Sequence, residues 1–394
     1  MTIFHSVHPN EYQFIKGTLT PNDTSHPHKP FAASASHRWL HCALSATPPP
    51  DGHRPSGLAA KEGTAAHLLL SWILTCKELQ QPVSIPRVLL IEGVEFPVEN
   101  DLLHRLAELA PLWNSADEVW SELSVTPFPT YKDICGGTAD LITWTWKTKT
   151  LHVCDLKYGR GFVNEIGNTQ LLLYALGAIR HIGRAPEHIE LSIFQPRAPG
   201  ASFRTWSLSA DELKDQLKPL LAALVKAQKE PESATAGSWC KWCAHQATCK
   251  TWRQTQDRLQ REVDQGIIDL NELGRLRKAF RSFADAVDER LKIHLREGHR
   301  LTTVKLVEGP GRRQWIMSSD DLQEKLTSLI RSSDSDDIMT LKSVAQVEKL
   351  LRANKKEEFS QFYIRGSGSQ LLVDADDPRP AIGGGSEFPD DLNN

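Results

Sequence analysis

Two aspartates and a lysine stand at a spacing that could carry out hydrolysis. Gly137-Thr138-Ala139-Asp140 is followed downstream by Asp155-Leu156-Lys157. Cleaving a phosphodiester requires clustered carboxylates to hold Mg2+ or Mn2+, because these hard cations prefer oxygen ligands. It also requires a group that orients or deprotonates the attacking water. Residues i and i+2 of a strand share a face, so Asp155 and Lys157 point into one site, and the Leu156 carbonyl is a further candidate ligand. Asp140 comes opposite them if the two strands pair in a suitable register. The competing reading is a surface ion pair, which is what Asp and Lys two apart on a strand often form. The run Leu151-His152-Val153-Cys154 argues against it. That run is mostly apolar, so the pair ends a buried strand, where charges without a metal or partner are costly.

Two further features have both a plain and a chemical reading. His67 sits in a helical stretch otherwise coated with Ala and Leu, as either a core histidine or a ligand. Gln170 and Tyr174 fall at i and i+4 of a very apolar helix and so share one side of it. Glu122, on the preceding strand, is a plausible extra acid without an assigned role. The cysteines form a separate group. Cys240, Cys243 and Cys249 have the spacing C-x2-C-x5-C, three thiolates of the four that a closed zinc site or a four-cysteine iron–sulfur cluster needs. Cys42 is the best candidate for the fourth, Cys76, Cys135 and Cys154 lie within core elements, and His245 could complete a zinc site instead.

Elements must hold these groups in place. The apolar 3–4 spacing of Ala66, Leu69, Leu70 and Ile73 predicts a helix over 64–76, and a second is expected over 102–112. From Val119 the period changes to that of short strands: 119–125, 137–146 and 151–156, the last two joined by a hairpin turn at 147–149. A helix over 164–182, a strand over 189–195 and a helix over 210–228 complete an α/β core, a mixed sheet flanked by helices. Leu270, Leu273, Leu276, Phe280, Phe283, Val287 and Leu291 form the buried stripe of one long helix. Arg312 and Arg313 fall in a Gly/Pro-flanked turn. The expected organisation is a loose leader over 1–30, a catalytic domain over 31–253, an accessory region over 254–382 and a flexible tail over 383–394.

In this order the motifs resemble the RecB-like branch of the PD-(D/E)XK nucleases, which carry a helical G-x-x-x-H, then G-x-x-D, D-x-K and Q-x-x-x-Y. The matching residues are Gly63 to His67, Gly137 to Asp140, Asp155 to Lys157, and Gln170 with Tyr174. The resemblance implies a restriction-endonuclease-like core. It makes His67, Asp140 and Asp155 metal ligands and has Lys157 serve the nucleophilic water, with Gln170 and Tyr174 supporting the site and the DNA. The order of Cys42 before the core and Cys240, Cys243 and Cys249 after it is similar to AddB-like nucleases, which implies a 4Fe-4S cluster, with Zn2+ the alternative. Ser36 to Cys42, Glu62 to His67, Lys305 to Gly309 and Asp377 to Ile382 look like a phage- and prophage-encoded family of predicted exonucleases.

Composition neither supports nor opposes this. The 46 basic and 49 acidic side chains give a net charge of −3, without the basic excess typical of nucleic-acid binding. No apolar run is long enough to cross a bilayer and no secretory signal is visible, so the expected place is the cytoplasm of a bacterial host. The expected partners are single- or double-stranded DNA ends and a phage single-strand-binding or annealing protein. The rival function is a non-catalytic iron–sulfur module that binds DNA ends. No phosphate-binding loop of the ATPase type is present.

Overall fold

A computed structural model describes residues 2–6, 12–21, 29–49, 57–267, 269–309, 313–316, 325–326, 329, 344–348, 351, 355–366, 370–375, 377 and 379–382. They divide into two units, Met1–Ser282 and Phe283–Asn394.

The strands of the first unit are β1 (Ile3–Ser6), β2 (Tyr12–Ile15), β3 (Thr18–Pro21), β4 (Phe31–Ala32), β5 (Val88–Ile91), β6 (Val94–Pro97), β7 (Glu118–Val125), β8 (Cys135–Thr145), β9 (Thr150–Leu156), β10 (His188–Phe194) and β11 (Phe203–Leu208). Its helices are α1 (Ser36–Trp39), α2 (Leu58–Glu78), α3 (Asn100–Ala107), α4 (Ala110–Asn114), α5 (Thr169–Ile182), α6 (Ala210–Lys229) and α7 (Lys250–Asp264), and α8 (Leu270–Arg296) runs on into the second unit.

A seven-stranded sheet in the order β1-β7-β8-β9-β10-β11, with β4 beside β8, forms the centre. It is mixed: β7, β8 and β9 are antiparallel neighbours, while β10 lies parallel to β9 after the α5 crossover. This is the α/β arrangement the strand and helix periods predict. Each face has its own core. Leu151, Val153, Ile189 and Leu191 pack with α5 and α6 on one side. Leu141, Cys154, Leu156 and Phe194 pack with Leu69 and Leu74 of α2 on the other. Burial on both faces explains why β9 reads as an almost unbroken apolar run.

Helix α5 explains itself locally. The Asn168 side chain accepts hydrogen bonds from the Gln170 and Leu171 N–H groups, and Gly183 ends the helix at φ 70°. Its apolar middle lies against the sheet, where each buried leucine contributes about 1.5–3 kcal/mol. At Gly177 the fit is closest, since a Cβ there would meet the Val125 Cβ at 2.6 Å. Gly177→Ala should therefore destabilise the fold by about 1–3 kcal/mol, despite the better helix propensity of alanine. Urea unfolding checks this; a gain in stability would show that α5 and β7 can separate freely.

Three expectations change. The leader is not wholly loose: β1 pairs in parallel with β7 from Ile3↔Glu118 to Ser6↔Ser121, and β2 and β3 form a hairpin that β5 extends. Four-residue strands are too short to show a period, and the partners β7 of β1 and β5 of β3 lie far along the chain. Helix 102–112 is two pieces, α3 and α4, with Pro111 in the first turn of α4. The division between units falls inside α8 rather than near residue 253. Trp252 is buried against Phe280 at 5.2 Å, and Gln246 Nε2 donates to the Ala279 carbonyl at 2.8 Å, which joins α7 and the start of α8 to the first unit.

In the second unit Val304–Glu308 pairs with Gln370–Asp374 and Arg313–Trp315 with Tyr363–Arg365, both antiparallel. Leu326, Leu329, Val344, Val347, Leu351, Phe359 and Phe362 form its core. Arg313 is tied to Glu348 at 2.8 Å and lies over the Tyr363 ring, which accounts for one member of the basic turn. Arg312 and the tail over 383–394 lie outside the described residues. Among the described residues no helix is long and apolar enough to cross a membrane.

Candidate functional site

The site lies where β8 and β9 part. The last pair between them is Leu141↔Cys154, so Asp140 and Asp155 are the next residues on neighbouring strands. The Lys157 N–H still bonds to the Phe194 carbonyl at 2.8 Å. That continues the strand geometry by one residue past β9, and Lys157 stays on the same side as Asp155.

A local reversal lets the site reach both helical layers. Ala139 belongs to the α5-side core and Leu141 to the α2-side core. Residues two apart share a face in a regular strand, so β8 turns over at Asp140. Opposite it, between the pairs Ser121↔Leu141 and Leu123↔Ala139, Glu122 has φ 49°. A left-handed backbone at a non-glycine residue costs about 1–3 kcal/mol, and pairing on either side holds it there. The Asp140 carboxylate then meets His67 of α2, with Nδ1 3.0 Å from Oδ1, while its Oδ2 accepts from the Leu156 N–H at 2.7 Å. Asp155 faces the other layer: its Oδ1 accepts from Gln170 Nε2 of α5 at 2.8 Å.

Lys157 and Gln170 complete the network. Lys157 Nζ is 2.7 Å from Asp155 Oδ2 and donates to Gln170 Oε1 at 3.1 Å. The Gln170 amide also donates to the Tyr174 hydroxyl at 3.0 Å. Gly137 makes room for that tyrosine, since a Cβ there would lie 3.1 Å from the ring. The glycine of G-x-x-D thus serves Tyr174. Gly63, in contrast, has nothing within 4 Å of the place a Cβ would take, so this turn of α2 borders open space.

The buried carboxylates and their basic partners shift one another's protonation. Burial would lower the His67 imidazole, but Asp140, with Glu122 and Asp155 behind it, outweighs burial and raises it to about 9. Burial pushes Asp140 up, yet His67, Lys157 and the Leu156 N–H together hold it below the usual carboxylate range. Asp155 goes the other way: burial and the Asp140 charge prevail over Lys157, and its carboxyl is raised. Burial lowers Lys157, but the two aspartates more than offset this and raise it. Two carboxylates in one buried place compete for a single ammonium and an imidazole.

A divalent cation fits this donor set. Among the described residues, His67, Glu122 and Asp140 offer ligand atoms that all lie within 4.8 Å of one another. Asp155 Oδ2 is fully buried with no hydrogen bond of good geometry, its neighbour being the Lys157 ammonium. Every residue singled out in the sequence motifs is here: His67, Asp140, Asp155, Leu156, Lys157, Gln170 and Tyr174. Leu156 donates its N–H to Asp140, a contact separate from the carbonyl expected as a ligand. Glu122 is the residue that sequence reasoning could not place. Its only signal was an acid on the neighbouring strand, and the backbone twist that aims it has none.

The cysteines lie elsewhere. All seven are free, and Cys42, Cys240 and Cys243 are buried. The Cys240 thiol is pushed up to about 12 by burial, against the Gly237 N–H, with Cys243, Cys42 and Cys249 adding to the rise. These four therefore act on one another electrostatically, although no three of them fall within 4.8 Å. The two chain segments are stitched together. The Leu44 N–H donates to the Ser233 carbonyl at 3.1 Å, Thr235 to the His41 carbonyl, and His41 stacks on Trp239 at 4.4 Å. His245 Nε2 is engaged by Thr47, 2.9 Å from its carbonyl and 3.2 Å from its hydroxyl.

One other group of possible ligands occurs among the described residues, His294, Glu297 and His299. All three are exposed at the end of α8, and no buried carboxylate stands with them.

Over residues 28–102 and 114–380 the sequence matches the model of a family described as "Protein of unknown function (DUF2800)", and the chain belongs to that family.

Proposed function

We propose that this protein is a Mg2+- or Mn2+-dependent deoxyribonuclease of the PD-(D/E)XK type that removes nucleotides from DNA ends. The observation that carries the reading is the placing of Asp140 and Asp155 side by side where β8 and β9 part, with His67 and Glu122 gathered at Asp140 and Lys157 at Asp155. A module that only binds ends has no need of two buried carboxylates facing phosphate.

In this reading His67, Glu122, Asp140 and Asp155 hold the cation. Bound there, it supplies Lewis-acid polarisation of the phosphoryl group and makes water more acidic. Lys157 is an ammonium kept in place by Asp155 and Gln170. It donates hydrogen bonds to the attacking water or to a phosphate oxygen as negative charge accumulates. Gln170 positions both Asp155 and Lys157, and Tyr174 fixes Gln170. The water proton passes to solvent or to the phosphate, since a charged lysine cannot accept it.

A nuclease assay on end-labelled single- and double-stranded DNA with Mg2+, Mn2+ or EDTA tests the activity. Binding without cleavage in any metal would favour the end-binding module, and cleavage confined to RNA would change the substrate. His67→Ala should raise the Mn2+ concentration needed for half-maximal rate about tenfold or more, with partial recovery at high Mn2+, which tolerates imidazole better than Mg2+ does. A variant that only loses stability, with its metal titration unchanged, would make His67 a packing residue.

The same proposal assigns a 4Fe-4S cluster to Cys42, Cys240, Cys243 and Cys249, with one Zn2+ ion as the alternative. Zinc bonds of ~2.3 Å hold four thiolates within about 4 Å of one another. Among the described residues no three of these thiols lie within 4.8 Å of one another. Backbone N–H groups of Gly237 and Trp252 donate to the Cys240 and Cys249 sulfurs at 3.4 Å. The biological setting that goes with this reading is resection of phage DNA in a bacterial cytoplasm, beside a single-strand-binding or annealing protein.

A further inference from the structure

The segment between Lys157 and α5 exposes two large apolar side chains immediately after the candidate site. Phe162 and Ile166 are each 61% exposed. A mobile loop would fold such groups down, but this one is fixed at its base. Gln195, fully buried, donates from Nε2 to the carbonyls of Gly159 at 3.0 Å and Gly161 at 2.7 Å, and its Oε1 accepts from the Val163 N–H at 3.1 Å. Arg204 adds a bond to the Val163 carbonyl at 2.8 Å and an ion pair with Glu165 at 3.1 Å. Its guanidinium lies 4.5 Å from the centroid of the Phe162 ring. The protein thus orders this loop and still leaves its apolar tips in water.

Charge indicates what covers them. Arg204 backs one side of Phe162, Arg197 lies 4.5 Å from the Tyr158 ring, and exposed Arg160 makes no ion pair among the described residues. The acids close by, Glu165 and Glu62, are already paired, with Arg204 and Arg197. An aromatic face backed by a guanidinium, next to unpaired basic charge, suits a base on a phosphate backbone.

We propose that the Tyr158–Asn168 loop is a stacking platform for an unpaired nucleic-acid strand: one base lies on the free face of Phe162, and the strand continues past Lys157. This rests on the reading of the site as a nuclease and names its substrate class as single strands or frayed ends.

The test is binding of the full chain, in EDTA so that nothing is cut, to an oligodeoxythymidine of about twenty nucleotides carrying 2-aminopurine near one end. Phe162→Ala should weaken binding roughly 5- to 100-fold and abolish the fluorescence quenching that stacking causes. Phe162→Trp should keep both. A blunt duplex of equal length should bind Phe162→Ala and wild type alike. Phe162 is solvent-facing, so unchanged melting temperatures are expected for both variants. An equal loss on single strand and duplex would overturn the platform, as would unaltered quenching in Phe162→Ala. A shift from dimer to monomer in Phe162→Ala, with binding intact, would make the patch an interface between copies and also overturn it. Phe162-dependent binding by a protein that cuts nothing in Mn2+ would retain the platform and remove the nuclease reading. Cleavage that needs Asp155, with binding indifferent to Phe162, would do the reverse.

Discussion

Asp155→Asn and Lys157→Ala, made singly, are each expected to lower DNA cleavage by about a thousandfold or more. Asparagine keeps the shape of Asp155 and its bond from Gln170 but removes the charge that would face the cation and Lys157. The two losses should not add, because the residues work on one reacting centre; the double variant should be no slower than the worse single one. Stability separates the pair. Asp155 is 1% exposed, so deleting Lys157 leaves a buried carboxylate without its counter-charge, which costs about 3–5 kcal/mol. Mn2+ should restore part of that, since a ligand that binds only the folded state stabilises it. Asp155→Asn should show little of that recovery. The measurements are single-turnover cleavage and thermal unfolding with and without Mn2+. Lys157→Ala with wild-type turnover would remove the proposed mechanism.

Much of this site was legible because strand and helix periods are short-range facts. Asp155 and Lys157 share a side by strand alternation, and Gln170 and Tyr174 by helical spacing. The apolar run before Asp155 announced burial, and the structure places it in a strand covered on both faces. What stayed hidden depends on register and on backbone reversal. Glu122 enters the site through a φ of 49°, which no residue type in Ser121-Glu122-Leu123 signals. The use of the Leu156 N–H follows from where the pairing of β8 and β9 ends, at Leu141↔Cys154. Gln195 and Arg204 anchor the 158–168 loop from β10's end and β11, and nothing local marks either as an anchor. The leader strands failed for the same reason, since β1 is specified by β7, more than a hundred residues away. The unit boundary failed because a helix stripe has no label for which core it covers.

Loss of the proposed cluster should have the second largest effect, on the fold itself. Protein purified without oxygen is expected to be brown, to absorb broadly near about 400 nm and to hold about four irons per chain. Cys240→Ser, Cys243→Ser and Cys249→Ser should each bleach the colour and destabilise the first unit, because binding such a group is coupled to folding. Cys42→Ser carries the sharper question. Its thiol comes from before α2 and the other three from after α6, so a cluster would close most of the first unit into one loop. A cross-link over so long a loop removes on the order of 5 kcal/mol of unfolded-chain entropy, which in a unit of this size is a fall of about 5–10 °C in Tm. The hydrogen bonds between 41–47 and 233–245 already bring the segments together, so Cys42→Ser should still fold at low temperature, colourless and less stable. Cys76 is buried in α2, away from this group, and Cys76→Ser should keep its colour. Iron retained in full by Cys42→Ser would mean that the fourth ligand is local. Since His245 Nε2 is held by Thr47, only its Nδ1 could serve, and His245→Ala should then bleach the protein. Colourless wild-type protein with one zinc per chain would replace the cluster by a compact tetrathiolate and leave the nuclease proposal to its own test.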